Sequence, residues 1–253
     1  MKQLRERLAS GLPCVGGWLG TSSPLIAEAM ASCGFHWVAA DMEHGQIGVA
    51  DLPALFAACQ LRGAAPLVRL PGHDPILARR CLDAGALGLI VPVVQSASAF
   101  ADFATHCLYP PAGRRGVSLC RANGWGDSFQ DYLGFRPLLV PQIETAAGAA
   151  AAQDIARLDV VDALFLGPYD LSADLGHPGD FNHSDVVVAM DRVRSACLQA
   201  GKPSGIHQVA PDPAQLQARI AEGYRFVAYS TDIVALRAAL GNPTTIVESA
   251  LSS

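Results

Sequence analysis

Two stretches of the chain end an apolar run on a carboxylate: Leu138-Leu139-Val140-Pro141-Gln142-Ile143-Glu144-Thr145, and Leu164-Phe165-Leu166-Gly167-Pro168-Tyr169-Asp170-Leu171-Ser172. A buried parallel strand reads as such a run, and it hands its last polar side chain to whatever site lies at its end. Taken singly, Glu144 or Asp170 is equally well a helix N-cap or first-turn acid, because a helical segment follows each. Taken together, at neighbouring strand ends of one sheet, two acids without a partner cysteine suit a hard divalent ion with oxygen ligands. Mg²⁺ or Mn²⁺ is expected before Zn²⁺, with positions left open for water and a chelating 2-oxo acid. The ion would act as a Lewis acid and stabilise the enolate formed beside the keto group.

Other polar residues arrive at successive strand ends: Asp41 and His44, Arg69, Gln142, then His207, Tyr229 and Ser230. His44 is the candidate general base, with Asp41 three residues earlier to orient its ring. Arg69, in the otherwise apolar Val68-Arg69-Leu70, would place a positive group at the developing oxyanion. His73, His106, His177 and His183 lie on loops or helices and read as solvated, while His36 and His207 fit either reading. Lysine usage decides a branch of mechanism. The only lysines are Lys2 and Lys202, one at the extreme N-terminus and the other before the seventh strand, at the far end from the site. Schiff-base chemistry needs a lysine inside, so metal and arginine must carry the charge. The turns after strands seven and eight lack the glycines of a phosphate grip, which disfavours a phosphorylated substrate; no Gly-x-Gly-x-x-Gly follows the first strand to support a doubly wound sheet, and no nucleotide cofactor is expected.

The elements that must position these residues alternate. After an amphipathic N-terminal helix, strands are expected at 14–19, 35–40, 65–70, 87–92, 138–143, 163–166, 204–207 and 226–229, each followed by a helix, the closing one at 231–240. Eight strand–helix units in about 250 residues make a single (β/α)8 TIM barrel over 1–253. A doubly wound open sheet is the runner-up. The active site should then lie at the C-terminal ends of the strands. Two Gly/Pro-rich insertions, 109–131 and 176–183, are too long for ordinary connections and are expected at that same end.

With 51% hydrophobic and 16% charged residues, the chain can bury a large core. A formal net charge of −5 and a pI near 5.7 offer no basic face to nucleic acid. No apolar run approaches the roughly 18 residues of a membrane span, and the start does not read as a signal peptide. Seven scattered cysteines without Cys-x-x-Cys read as free thiols rather than disulfides or zinc ligands. A cytoplasmic protein is expected.

Across nearly its whole length the chain resembles the HpcH/HpaI-type class II, metal-dependent pyruvate aldolases, typified by 4-hydroxy-2-oxoheptanedioate aldolase and 2-dehydro-3-deoxyglucarate aldolase. The resemblance is carried by Asp41-Met42-Glu43-His44, Val68-Arg69, Leu82-Asp83-Ala84-Gly85-Ala86, Tyr109-Pro110-Pro111 with Arg115-Gly116-Val117, Gln142-Ile143-Glu144-Thr145, Gly167-Pro168-Tyr169-Asp170-Leu171-Ser172 and Phe226-Val227-Ala228. It implies reversible cleavage of a 4-hydroxy-2-oxo acid to pyruvate and an aldehyde through a metal-stabilised pyruvate enolate. It further implies that Glu144 and Asp170 hold Mg²⁺, Mn²⁺ or Co²⁺, that His44 with Asp41 handles the proton, and that Arg69 faces the pyruvyl oxygen. Gln142 would line the pyruvate pocket, and the amides of Gly167 and Tyr169 would receive the carboxylate. Asp83 would reach a neighbouring subunit's site within a homo-hexamer, a trimer of dimers, in which the C-terminal helix crosses a subunit interface. Tyr169 stands where a small residue is expected, so its ring would reshape the acceptor side. Two other readings remain: an acyl-CoA lyase like the citrate-lyase β-type enzymes, supported by Arg114 and Arg115, and a 2-oxo-acid-binding barrel without catalysis, motivated by Tyr169.

Overall fold

The computed structural model describes residues 2–252. In chain order the elements are α1 (Lys2–Ala9), β1 (Cys14–Leu19), α2 (Pro24–Ser32), β2 (Trp37–Asp41), α3 (Leu52–Leu61), β3 (Ala65–Arg69), α4 (Pro75–Asp83), β4 (Gly88–Val91) and α5 (Ala97–Thr105). There follow a 3₁₀ turn (Arg121–Gly126), α6 (Phe129–Tyr132), β5 (Leu138–Ile143), α7 (Ala146–Ala156), β6 (Leu164–Leu166), α8 (Pro168–Asp174), α9 (Ser184–Ala200), β7 (Ser204–Gln208), α10 (Pro213–Ala221), β8 (Phe226–Thr231), α11 (Asp232–Leu240) and α12 (Pro243–Leu251). All eight strands pair in parallel with their sequence neighbours, and β8 returns to β1, closing a (β/α)8 barrel.

Strand parity divides the core in two. Val38 and Ala40 of β2, Val68 of β3, and Leu139 and Ile143 of β5 pack outward under the helices. Trp18, Trp37, Ala39, Leu67, Leu138, Val140, Phe165, Phe226 and Ala228 fill the barrel, with Leu4 and Leu8 of α1 joining them from the N-terminal mouth. Because successive side chains alternate faces, the inward parity of Trp37 and Ala39 continues to Asp41, that of Leu67 to Arg69, and that of Leu138 and Val140 to Gln142. The lower layer is wide: Trp37 stacks on Phe226 at 4.4 Å, and Gly16 is bare because a Cβ there would fall inside the Trp37 ring. At the seam, β8 carries two residues, Tyr229 and Ser230, opposite Gly17 of β1. Ser230 takes a φ of 62° in this bulge, which re-aims the upper strand.

Two expectations change. The segment 109–131 leaves helix α5 and feeds β5, so it lies at the N-terminal end of the barrel and not at the mouth. There Arg121 donates from Nη1 to the carbonyl of Ala84, which follows α4. Only the 176–183 insertion, between α8 and the start of α9, belongs to the C-terminal end. The chain also does not close at Leu240: Gly241 breaks the helix with a φ of 62°, and Asn242 caps α12 through the amide of Thr245. Among the described residues no helix is long and apolar enough to cross a membrane.

Candidate active site

The C-terminal ends of the strands open on a cleft of about 300 Å³ lined by Glu43, His44, Val93, Glu144, Thr145, Asp170 and Asp174. Glu144 is the first residue beyond β5, and Asp170 sits in the first turn of α8, three residues beyond Gly167. Both expected metal ligands therefore face one space, together with the expected base.

Glu144 is 3% exposed and held at both oxygens. Its Oε1 accepts the Val93 amide at 2.6 Å and its Oε2 the Gln142 side-chain amide. Val93 follows β4 with a φ of 51°, a left-handed conformation that costs a β-branched residue on the order of 1–3 kcal/mol and recurs at functional sites. It turns this amide into the cleft. Burial first, and then the negative charge of Asp170, pushes the Glu144 carboxyl up to about 7 against the lowering effect of the Val93 hydrogen bond. Glu43 is also raised, by burial and partly against the neighbouring Arg69. Glu43, Glu144, Asp170 and Asp174 thus share one cleft, and the negative charge of Asp170 adds to the rise of both glutamates. A divalent cation relieves that conflict, and an all-oxygen donor set suits a hard ion.

Asp41 and Arg69, paired in register across β2 and β3, form a fork under the cleft. Arg69 donates from Nε and Nη2 to Asp41 at 2.8 and 2.6 Å, and its Nη1 meets Glu43 at 2.6 Å. Burial raises the Asp41 carboxyl, but the Arg69 hydrogen bonds and charge outweigh it and hold the group below its usual range. The indole N–H of Trp18 also donates to Asp41, and the Trp18 ring lies 5.2 Å beneath the Arg69 guanidinium. His207 also stacks on that ring, at 4.6 Å. Burial, reinforced by Arg69, drives His207 down to about 4, so it sits neutral in the barrel.

Several expected roles change. Asp41 does not orient the His44 ring: its Oδ1 accepts the backbone amides of Glu43 and His44, and its remaining capacity goes to Arg69 and Trp18. It shapes the turn that presents His44. The Gly167 amide is spent on the carbonyl of Ile143, so it cannot receive a carboxylate. The amides left without helical partners in the first turn of α8 are those of Tyr169 and Asp170. Gly167 matters instead by lacking a side chain, since a Cβ would stand 2.7 Å from Glu144 Oε2 and 3.0 Å from Gln142 Nε2. Tyr169 is 55% exposed and leans edge-on against Phe181 of the insertion, 4.9 Å away; it does not crowd the cleft. Asp83 ends α4 at the other end of the barrel, bonded at 2.6 Å to Arg115, which is 2% exposed beneath Tyr109. Arg115 and Arg114, which pairs with Asp102, therefore offer no phosphate groove at the mouth.

Glu43 and Trp18 were not singled out from the sequence. Two signals were available: Glu43 lies between two residues that were singled out, and Trp18 falls on inward parity with an indole N–H that needs a buried partner.

The family model described as HpcH/HpaI aldolase/citrate lyase matches residues 15–239. The chain is 35% identical over 237 residues to a hydroxypyruvate/pyruvate aldolase of Roseovarius nubinhibens, covering 92% of this chain and 91% of that protein. It is 36% identical to a 2-dehydro-3,6-dideoxy-6-sulfogluconate aldolase of Pseudomonas putida, covering 87% and 86%. A crystal structure of an HpcH/HpaI aldolase/citrate lyase family protein from Burkholderia cenocepacia superposes with a TM-score of 0.90 at 35% identity, each chain covered completely.

Proposed function

The chain belongs to the HpcH/HpaI aldolase/citrate lyase family, and from that premise we propose how its residues divide the work of a metal-dependent aldolase. The reaction is a carbon–carbon lyase step: a 4-hydroxy-2-oxo acid loses the proton of its 4-hydroxyl, the C3–C4 bond breaks, an aldehyde leaves, and C3 of the pyruvyl fragment takes a proton. Glu144 and Asp170 would hold the divalent cation, which would supply Lewis-acid stabilisation of the negative charge that develops on the pyruvyl fragment.

Arg69 keeps N–H donors of its two terminal nitrogens beyond those committed to Asp41 and Glu43. Locked by the Asp41 fork and the Trp18 face, it presents them to the same oxygen without reorganising. His44 exchanges protons with the substrate, its position set by the turn that Asp41 holds. Gln142 borders the pyruvyl side and steadies Glu144, and the amides of Tyr169 and Asp170 face the carboxylate. The relative's name extends the nucleophile class to hydroxypyruvate. The aldehyde approaches from the side of the Tyr169–Phe181 pair.

Homo-oligomers follow from the same reading. Asp83 stands at the opposite end of the barrel from its own cleft, so it serves catalysis only in another copy. On α12, Ile246, Val247 and Leu251 are exposed, an apolar face suited to the subunit contacts of a hexamer. The seven unpaired cysteines suit a reducing, cytoplasmic setting.

The observation that carries the proposal is the convergence of Glu43, His44, Glu144 and Asp170 on one cleft. The test is proton NMR of pyruvate in D₂O with Mg²⁺ or Mn²⁺, following loss of the methyl signal. Exchange is expected in the wild type, quenched by EDTA and abolished in Glu144→Ala and Asp170→Ala. Metal-dependent exchange surviving in both variants would overturn the assignment of ligands.

A further inference from the structure

We propose that His177, His183 and Asp185 form a second metal site, for a borderline transition ion such as Zn²⁺, where the 176–183 insertion meets the start of α9. Two imidazoles and one carboxylate each bring a ligand atom to within 4.8 Å of the others. His177 Nε2 lies 3.7 Å and His183 Nδ1 3.8 Å from the same Asp185 Oδ2. A point equidistant from all three atoms is then at most about 2.4 Å from each, against roughly 2.0–2.2 Å for zinc bonds to nitrogen and oxygen. The contraction needed is a few tenths of an ångström.

Two features of the resting arrangement must yield. The imidazoles stack face to face, with centroids 3.3 Å apart, so each ring must tilt about its Cβ–Cγ bond to aim its lone pair inward. His183 Nδ1 also accepts the Asp185 amide in a long hydrogen bond of 3.3 Å, which the ion would displace. The rings that must move are partly exposed and not packed in the core, and the Asp185 amide that loses its partner lies in the exposed first turn of α9. The remaining coordination positions face solvent.

The donor types separate this site from the cleft. Nitrogen ligands favour zinc and its transition-metal neighbours over Mg²⁺, whereas the carboxylates of the cleft favour the hard ion. The insertion is also tied to the helix that carries Asp170. Its His177 amide donates to the Ser172 carbonyl, its Gly179 amide to Ser172 Oγ, and its Phe181 packs on Tyr169. Metal at this site would pin the insertion to α9 beside the substrate entrance. None of this depends on the aldolase reading.

The test is calorimetric titration of the 253-residue chain with Zn²⁺ in excess Mg²⁺, comparing the wild type with His177→Ala, His183→Ala and Asp170→Ala. One Zn²⁺ site is expected in the wild type and in Asp170→Ala, weakened about tenfold or more by either histidine substitution. Unchanged thermal midpoints without zinc would show that the histidine variants are folded. Equal Zn²⁺ affinity in the wild type and both histidine variants would overturn the site, as would zinc binding lost only in Asp170→Ala or no zinc binding at all.

Discussion

Replacing Gly167 by alanine tests whether Glu144 is held where the chemistry needs it. Gly167 has φ −103° and ψ 86°, outside the left-handed region, so the substitution carries no left-handed backbone penalty and acts through one added methyl. That methyl would stand 2.7 Å from Glu144 Oε2 and 3.0 Å from both Glu144 Cβ and Gln142 Nε2. Relaxed carbon–oxygen contacts lie at about 3.3–3.6 Å, so the carboxylate must retreat by roughly 0.6–0.9 Å. It cannot do so freely, being fixed by Val93 on one oxygen and Gln142 on the other. Overpacking of this kind costs about 1–3 kcal/mol of stability, and displacing a reacting group by ~1 Å costs on the order of 100-fold in rate. In the pyruvate exchange assay, the variant should need about tenfold more Mg²⁺ for half-maximal rate and exchange about 10- to 100-fold more slowly. Its melting temperature should fall by several degrees, given about 2–4 °C per kcal/mol for a chain of this size. Shortening the acid should offset part of the damage, so Gly167→Ala combined with Glu144→Asp should be less impaired than the two single effects together imply. Wild-type exchange, metal requirement and melting temperature in Gly167→Ala would refute the view that Glu144 is immobilised.

Two further outcomes concern pH. Glu144 titrates near 7 in the folded chain and at 4.5 in its reference state, so the native state binds the extra proton and stability should fall as pH rises from about 4.5 to 7. The drop is on the order of 3 kcal/mol; denaturant midpoints in EDTA should show it, and excess Mg²⁺ should remove it. His207 behaves oppositely: its pKa is lowered from 6.5 to about 4, so it costs stability as pH falls through that window. In His207→Phe the acid-side loss between about 6.5 and 4 should shrink by on the order of 3 kcal/mol, and an unchanged acid limb would show that other groups dominate it.

The barrel was legible because each strand is a short apolar run bounded by turn residues, and the shared position of Glu144 and Asp170 because they stand where two such runs stop. The helix α12 was less so. Its start is written in Gly241-Asn242-Pro243, but Ile246, Val247 and Leu251 stay exposed, and the alternation had already reached eight units. Placing 109–131 at the mouth failed because Gly/Pro content alone was used, whereas the alternation puts a helix before this segment and a strand after it, which is the N-terminal end of the barrel. The roles of Asp41 and Gly167 depend on which atom of a residue is used, backbone or side chain. That choice is set by strand register and turn geometry. Glu43 likewise acquires its importance only when Arg69 arrives from another strand.

The amide of Val93 has a consequence for how this protein tolerates sequence drift. The donor that fixes Glu144 is main chain, so every residue except proline supplies it. The φ of 51° means that glycine or asparagine would hold the same hydrogen bond with less strain. Position 93 can therefore vary in side chain without loss of the anchor, while an insertion or deletion between β4 and α5 would move the amide itself. The length of that turn, more than the identity of its residues, is what selection must keep.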